Sequence, residues 1–142
     1  MTLNELENLA HIGKLKREAA TSREIDGLLN SARERLRDAA SDSLTYSSRF
    51  DLAYNASHAL ALCALRRKGY RSDNRYLVFQ ALPHTAGLPV TAWRVLAKAH
   101  ERRNLAEYEG HLEQDQTLLR EVIAAARQLL VIIESMASGN NR

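Results

Sequence analysis

Apolar residues recur at alternating steps of three and four through nearly every long segment of this chain, and that spacing leaves the α-helix as the element that buries them together. Leu119, Val122, Ala126, Leu129, Ile133 and Met136 keep the rhythm late in the chain, predicting a helix from about Leu112 to Met136. Ile25, Leu28, Leu29, Ala32, Leu36 and Ala39 keep it earlier. Thr21 and Glu24 stand just ahead of that series in a capping-box pattern, so a helix of roughly 20 residues starts there. A third helix is expected from about Leu44 to Lys68, with Phe50, Ala53, Tyr54, Ser57, Ala61, Ala64 and Leu65 along one side.

The residues between these series act as punctuation. Gly69 is placed to end the third helix in a left-handed conformation, with Tyr70 packing back. Arg66, Arg67 and Lys68, whose cations complement the dipole, read with Arg71 and Arg75 as a solvated helix end, with a lesser case for contact with a nucleic-acid backbone. Asp73 or Asn74 caps a short helix carrying Tyr76, Leu77, Phe79 and Leu82 and stopped near Pro83. Another helix is expected from Val90 to Tyr108, with Gly110 kinking or breaking it. Thr2 and Glu5 open a short, peripheral helix that Gly13 weakens. The expected organisation is a short N-terminal helix over 1–20, a bundle over 21–137 and a polar tail over 138–142. The fold class is all-α: an up-and-down bundle of four main helices plus one or two short ones.

Composition narrows the function classes. A chain of 142 residues has room for one core and needs no disulfide or metal staple. The formal charge of +3 and a pI near 9.2 permit contact with nucleic acid without requiring it. Cys63 stands alone among Leu60, Ala61, Leu62, Ala64 and Leu65, which reads as a buried, inert thiol. Zinc-ligand spacings, Walker-type loops, GxGxxG and GxSxG are absent, so no metal or cofactor is expected. The longest aliphatic run, Leu129 to Ile133, is far too short to span a bilayer, and no apolar leader opens the chain. A cytoplasmic protein with no membrane attachment is expected.

One apolar stripe changes character along its length. Trp93, Leu96 and Ala97 define the buried side of the Val90–Tyr108 segment. The same steps then reach His100, Arg103 or Asn104, Glu107 or Tyr108, and His111. Buried polar groups need partners or water, so three readings compete. The stripe emerges into solvent there; it forms a satisfied internal network; or it lines a cleft or dimer interface that holds a ligand. In the last reading Arg103 grips phosphate through its planar fork, and Asn104 and Tyr108 orient it. His100 and His111 would then exchange protons near neutral pH. Glu107, four residues after Arg103, also suits a plain helical ion pair. His58 reads as a core or interface histidine with a lesser case for the same cleft, and Trp93 reads as core.

Three stretches then carry a family resemblance. Ser48-Arg49-Phe50-Asp51-Leu52-Ala53-Tyr54-Asn55-Ala56, Arg67-Lys68-Gly69-Tyr70-Arg71 and Arg102-Arg103-Asn104-Leu105-Ala106-Glu107-Tyr108 together resemble the HEPN (higher eukaryotes and prokaryotes nucleotide-binding) superfamily, in helix order from about Arg23 to Met136. The segment from Phe50 to Ala56, followed by Gly69-Tyr70-Arg71, is the most specific piece, and it brings Asn55 into the candidate ligand-binding set. The resemblance implies a bundle that dimerises, with the arginine motifs of two subunits facing a shared cleft. It implies a metal-independent ribonuclease or toxin, the partner of a minimal nucleotidyltransferase, or a binding domain without catalysis.

The active pattern of that family is an arginine, usually followed by a polar residue, with a histidine after four to six intervening residues. Arg103-Asn104 fits the first half, but Tyr108 stands after four intervening positions and His111 after seven. Arg94 and His100 meet the spacing, but Val95 follows Arg94 and the pair falls too early in its helix. Metal-free RNA cleavage needs the 2′-hydroxyl deprotonated, the departing oxygen protonated and the phosphate stabilised. Tyrosine, with an ordinary pKa near 10, is a poor shuttle for those protons. The candidate catalytic pair is therefore Arg103 with His111; the candidate ligand-binding set is Arg103, Asn104, Tyr108, His100 and Asn55. The leading expectation is an RNA- or nucleotide-binding homodimer, acting with a nucleotidyltransferase or as one half of a toxin–antitoxin pair. A metal-independent endoribonuclease is the alternative, and a helical protein-interaction module the third reading.

Overall fold

A computed structural model of the chain describes residues 2–139, with side chains over 5–136. The architecture is an all-α bundle. Seven helices are present among the described residues: α1 (Thr2–His11), α2 (Ser22–Ala39), α3 (Tyr46–Arg67), α4 (Arg75–Gln80), α5 (Leu82–Thr85), α6 (Val90–Glu109) and α7 (Gln116–Gly139). Four are long and three are short, one more short helix than the spacing suggests. The expected tail begins inside α7, and its residues 140–142 lie outside the described residues.

α3 is the central helix. It packs against α2 and α7 most extensively and also meets α4, α5 and α6. Its alanines on that account are buried on more than one side: Ala53, Ala56, Ala61 and Ala64 are all in the core with Phe50, Leu60 and Leu65. Small side chains let neighbouring helices approach from several directions. Cys63 is buried among them, and burial pushes its thiol up to about 11, which makes it inert.

The caps form where the side chains allow. Thr21 Oγ1 accepts the Glu24 amide at 3.1 Å, and Thr45 caps α3 through the Ser48 amide at 3.2 Å. Asn74 rather than Asp73 caps α4 through Leu77 N–H at 3.1 Å. α6 stops at Gly110, whose φ of 79° lies in the left-handed region that favours glycine. α7 starts four residues later than Leu112, where Asp115 accepts the Leu118 amide at 3.0 Å. Pro83 stands in the first turn of α5, where its missing N–H costs nothing, so it starts a helical turn as well as following one.

Two features depart from expectation. The N-terminal helix is not peripheral: Leu6, Ala10 and Leu15 belong to the same core as α3 and α7. Beyond it Lys16–Arg17 (β1) pairs antiparallel with Tyr70–Arg71 (β2). Gly69, at φ 88°, turns the chain out of α3 and its carbonyl accepts the Glu18 amide at 2.9 Å, extending that short ladder.

The second departure is Arg66. It is 2% exposed rather than solvated. Its guanidinium donates to Glu24 at 2.7 and 3.1 Å and to the carbonyls of Glu18 (2.7 Å), Tyr70 (3.1 Å) and Ala19 (3.2 Å). A buried cation is tolerable when its donors are all paired, and here they are. Arg71 adds contacts to Glu18 and Glu24, and Tyr70 donates its hydroxyl to Glu7, which also pairs with Arg17. These interactions bind the N-terminal segment to the end of α3.

Candidate functional site

Two helices present polar residues at the same spacing. α3 carries Asp51, Tyr54, Asn55 and His58; α6 carries His100, Arg103, Asn104 and Glu107. Each set steps by three, one and three, so each lies on one helical face. α4 closes the space between them with Arg75, Tyr76 and Phe79.

His100 is the floor of the site. It is 8% exposed and its ring lies 6.1 Å from that of Tyr54, 5.8 Å from Tyr76 and 5.8 Å from Phe79. Its Nδ1 is 3.0 Å from the buried Tyr54 hydroxyl, and its Nε2 is 3.1 Å from Asn104 Nδ2. An amide nitrogen only donates, so Nε2 accepts and the imidazole proton sits on Nδ1, donated to Tyr54. Burial, then the charge of Arg75, holds the His100 pKa below its usual value. The ring is a neutral, positioned element. His58 stands edge-on to Phe79 at 5.9 Å, and burial together with Arg75 and His100 pushes its pKa down to about 4.

Two guanidinium groups flank Tyr54. The Arg75 carbon lies 5.7 Å from the ring centroid and the Arg103 carbon 6.0 Å. Their surroundings differ. Arg103 is half-buried and held by acids, with Nη1 2.9 Å from Glu107 and Nε 3.3 Å from Asp51. Arg75 is exposed and donates to the neutral Asn55 Oδ1 at 3.3 Å. Asn55 in turn donates to the Asp51 carbonyl at 2.8 Å, which aims its oxygen at Arg75.

The polar stripe of α6 leaves the core just after His100. Leu96 is buried, Arg103 is half-buried, and Asn104, Glu107 and Tyr108 are exposed. Of the three readings, emergence into solvent describes its far end and an internal network describes Tyr54–His100–Asn104. The candidate residues do not share one cleft. Arg103 and His111 line a depression of about 380 Å³ with Ser47, Asp51 and Glu107. Asn104 and Tyr108 line a separate groove of about 410 Å³ with Lys98, Glu101, Arg102 and Leu105. Tyr108 is 94% exposed and touches neither Arg103 nor His100 through any hydrogen bond among the described residues.

Tyr54, Arg75 and Tyr76 belong to the site although the α6 stripe does not point to them. The repeat of the α6 spacing in Asp51, Tyr54, Asn55 and His58 is the signal that marks the facing helix. Arg75 is marked in sequence only as part of a basic cluster, and the fold of α4 is what brings it to Tyr54. Trp93, by contrast, is core as expected, with its indole N–H satisfied by the Phe79 carbonyl at 2.7 Å.

Among the described residues no group of three or more potential metal ligands occurs, and no helix is long and apolar enough to cross a membrane. No family model matches the chain, and no curated protein or solved structure matches it.

Proposed function

We propose that this chain is a HEPN-like domain that binds RNA or nucleotides in the cytoplasm through the α3–α4–α6 site. The observation that carries the reading is the pair of guanidinium groups on Tyr54, with Arg75 free of a carboxylate among the described residues. A phosphate reaching Arg75 beside Tyr54 gains charge-assisted hydrogen bonds, with the guanidinium of Arg103 near the same ring and the amide of Asn55 next to Arg75. Asp51 and Glu107 offset the charge of Arg103, so Arg75 leads the contact and Arg103 supports it.

The support for binding exceeds that for catalysis. His100 is held neutral and already committed to Tyr54 and Asn104. An endoribonuclease reading rests on Arg103 and His111 lining one depression, where the histidine is the mobile proton carrier. Two subunits meeting through the exposed Leu105 and Tyr108 of α6 form the proposed homodimer, and a minimal nucleotidyltransferase or an antitoxin is the proposed partner class.

The test is fluorescence anisotropy with labelled RNA. Arg75→Ala should weaken binding roughly tenfold, within the ~1.5–3 kcal/mol of a hydrogen bond to a charged group, and Arg103→Ala by less, both with the helical fold intact. Arg103→Lys should recover part of the loss. Cleavage of RNA in a chelator, lost in both Arg103→Ala and His111→Ala, would replace binding by the ribonuclease reading. Absence of RNA and nucleotide binding in the wild type overturns both.

A further inference from the structure

Tyr76 lies between two features that the phosphate contact at Tyr54 does not use. One face of its ring leans on His100 at 5.8 Å, yet the side chain is 47% exposed. It also lines a cavity of about 320 Å³ with Lys14, Asn74, Leu77 and Gln80. That volume is at the small end for ligand sites, the size of one ring system rather than a whole cofactor. No carboxylate lines it; Glu18 and Asp73 belong to the adjoining depression. An aromatic face held in place from behind, an apolar side wall from Leu77 and an amide from Gln80 make a seat for a flat ring with polar edges.

Cations stand at this seat and at the Tyr54 site. Lys14 borders the cavity, Arg75 precedes Tyr76 in sequence and lies on Tyr54, and Arg103 lies on that same ring. Alternating cations and aromatic faces is the pattern by which single strands are held, their bases stacked and their phosphates paired. A duplex buries its base faces and gives Tyr76 nothing to stack on.

We infer that the ligand is single-stranded RNA, with one unpaired base stacked on Tyr76 in the Lys14–Gln80 cavity and flanking phosphates on Lys14 and Arg75. This rests on the RNA-binding reading above. His100 backs Tyr76 and holds its ring in place. Gln80 meets the edge of the stacked base and gives a preference among bases.

The experiment is an anisotropy titration of the full chain with a labelled mixed-sequence single-stranded RNA and with the duplex of the same sequence. The single strand should bind tighter. Tyr76→Leu keeps the apolar cover over His100 but removes the π face, and should weaken single-strand binding about fivefold to a hundredfold, the range for one base–aromatic stack. Tyr76→Phe should restore it. Lys14→Gln should reduce the slope of affinity against salt by about one phosphate contact. Equal binding of single strand and duplex, or unchanged affinity in Tyr76→Leu while Arg75→Ala binds weakly, overturns the inference and leaves the RNA-binding reading standing. No binding of either RNA by the wild type overturns both.

Discussion

Arg66 at the end of α3 donates five hydrogen bonds and is buried; Arg75, nine residues on at the start of α4, donates one and is exposed. Both are arginines in a basic stretch with Arg67, Lys68 and Arg71 between them. The difference lies in what faces them. Arg66 meets Glu24 and the Glu18 and Ala19 carbonyls that the N-terminal segment brings to it, and the nearby Tyr70 carbonyl, so its charge is consumed in holding that segment. Arg75 meets an aromatic ring and an amide oxygen, which orient a guanidinium without neutralising it. A cation with its acids in place is part of the fold, and one positioned by neutral groups is ready for a ligand. Arg103 falls between the two, oriented on Tyr54 but flanked by Asp51 and Glu107.

The largest effect expected from this contrast is on stability. Arg66→Ala strands three carbonyls and leaves Glu24 with Arg71 alone, and should cost about 3 kcal/mol, the low end for breaking a buried pair because Glu24 is part-exposed. Urea unfolding reads this directly. An unchanged midpoint would mean that the Arg66 contacts contribute nothing net. Arg75→Ala should do the reverse, moving stability by no more than about 0.5 kcal/mol. Its RNA affinity should fall roughly tenfold, the cost of one charge-assisted contact.

The two regions should also respond to acid over different ranges. His58 has its pKa lowered to about 4 and His100 is lowered as well. The unfolded chain protonates them first, so the stability their neutral forms carry is present above about pH 6.5 and is lost as pH falls toward 4. Glu24, Glu18 and Glu7 are lowered by their arginine and tyrosine partners. Their contribution persists to the ordinary carboxylate range and is lost only below about pH 4.5. Urea midpoints measured against pH should therefore show an upper limb that His58→Leu flattens and a lower limb that it leaves alone. A single limb, unaffected by His58→Leu, would contradict the assignment.

The smallest effect is expected at the exposed end of α6. Leu105→Glu should leave the unfolding midpoint within about 0.5 kcal/mol, since the side chain is half outside the core. If two copies meet there, the same change shifts sedimentation from dimer to monomer. A wild type that sediments as a monomer at micromolar concentration removes that interface.

The contrast also explains what the sequence could convey. The long helices were legible because their apolar steps are local, and Thr21 with Glu24 marked the start of α2 within four residues. The turn out of α6 was legible in Gly110. Arg66 was not, because all its partners but the Tyr70 carbonyl lie 42 to 48 residues away and nothing local separates a buried arginine from a solvated one. The two-residue ladder of β1 and β2 is too short to leave an alternating pattern. At the site, the change from apolar to polar along α6 drew attention to His100, Arg103 and Asn104. The Tyr54–His100 bond spans 46 residues and Arg75 reaches the site only through the fold of α4, so these needed the packing. Asn104 and Tyr108 share a turn of helix but no site with Arg103 and His111, because a helical face wider than its buried stripe divides between two surfaces.

Under the proposed function Arg75, held at Tyr54 by neutral partners, is the cation that meets RNA. A paired titration of wild type and Arg75→Ala with the same labelled single-stranded RNA, repeated over a range of salt, tests it most directly. Expected are binding by the wild type, roughly tenfold weaker binding by the variant and a salt slope shallower by about one phosphate contact, with the two proteins unfolding at the same urea concentration. Equal affinities and equal salt slopes for the two proteins would contradict it.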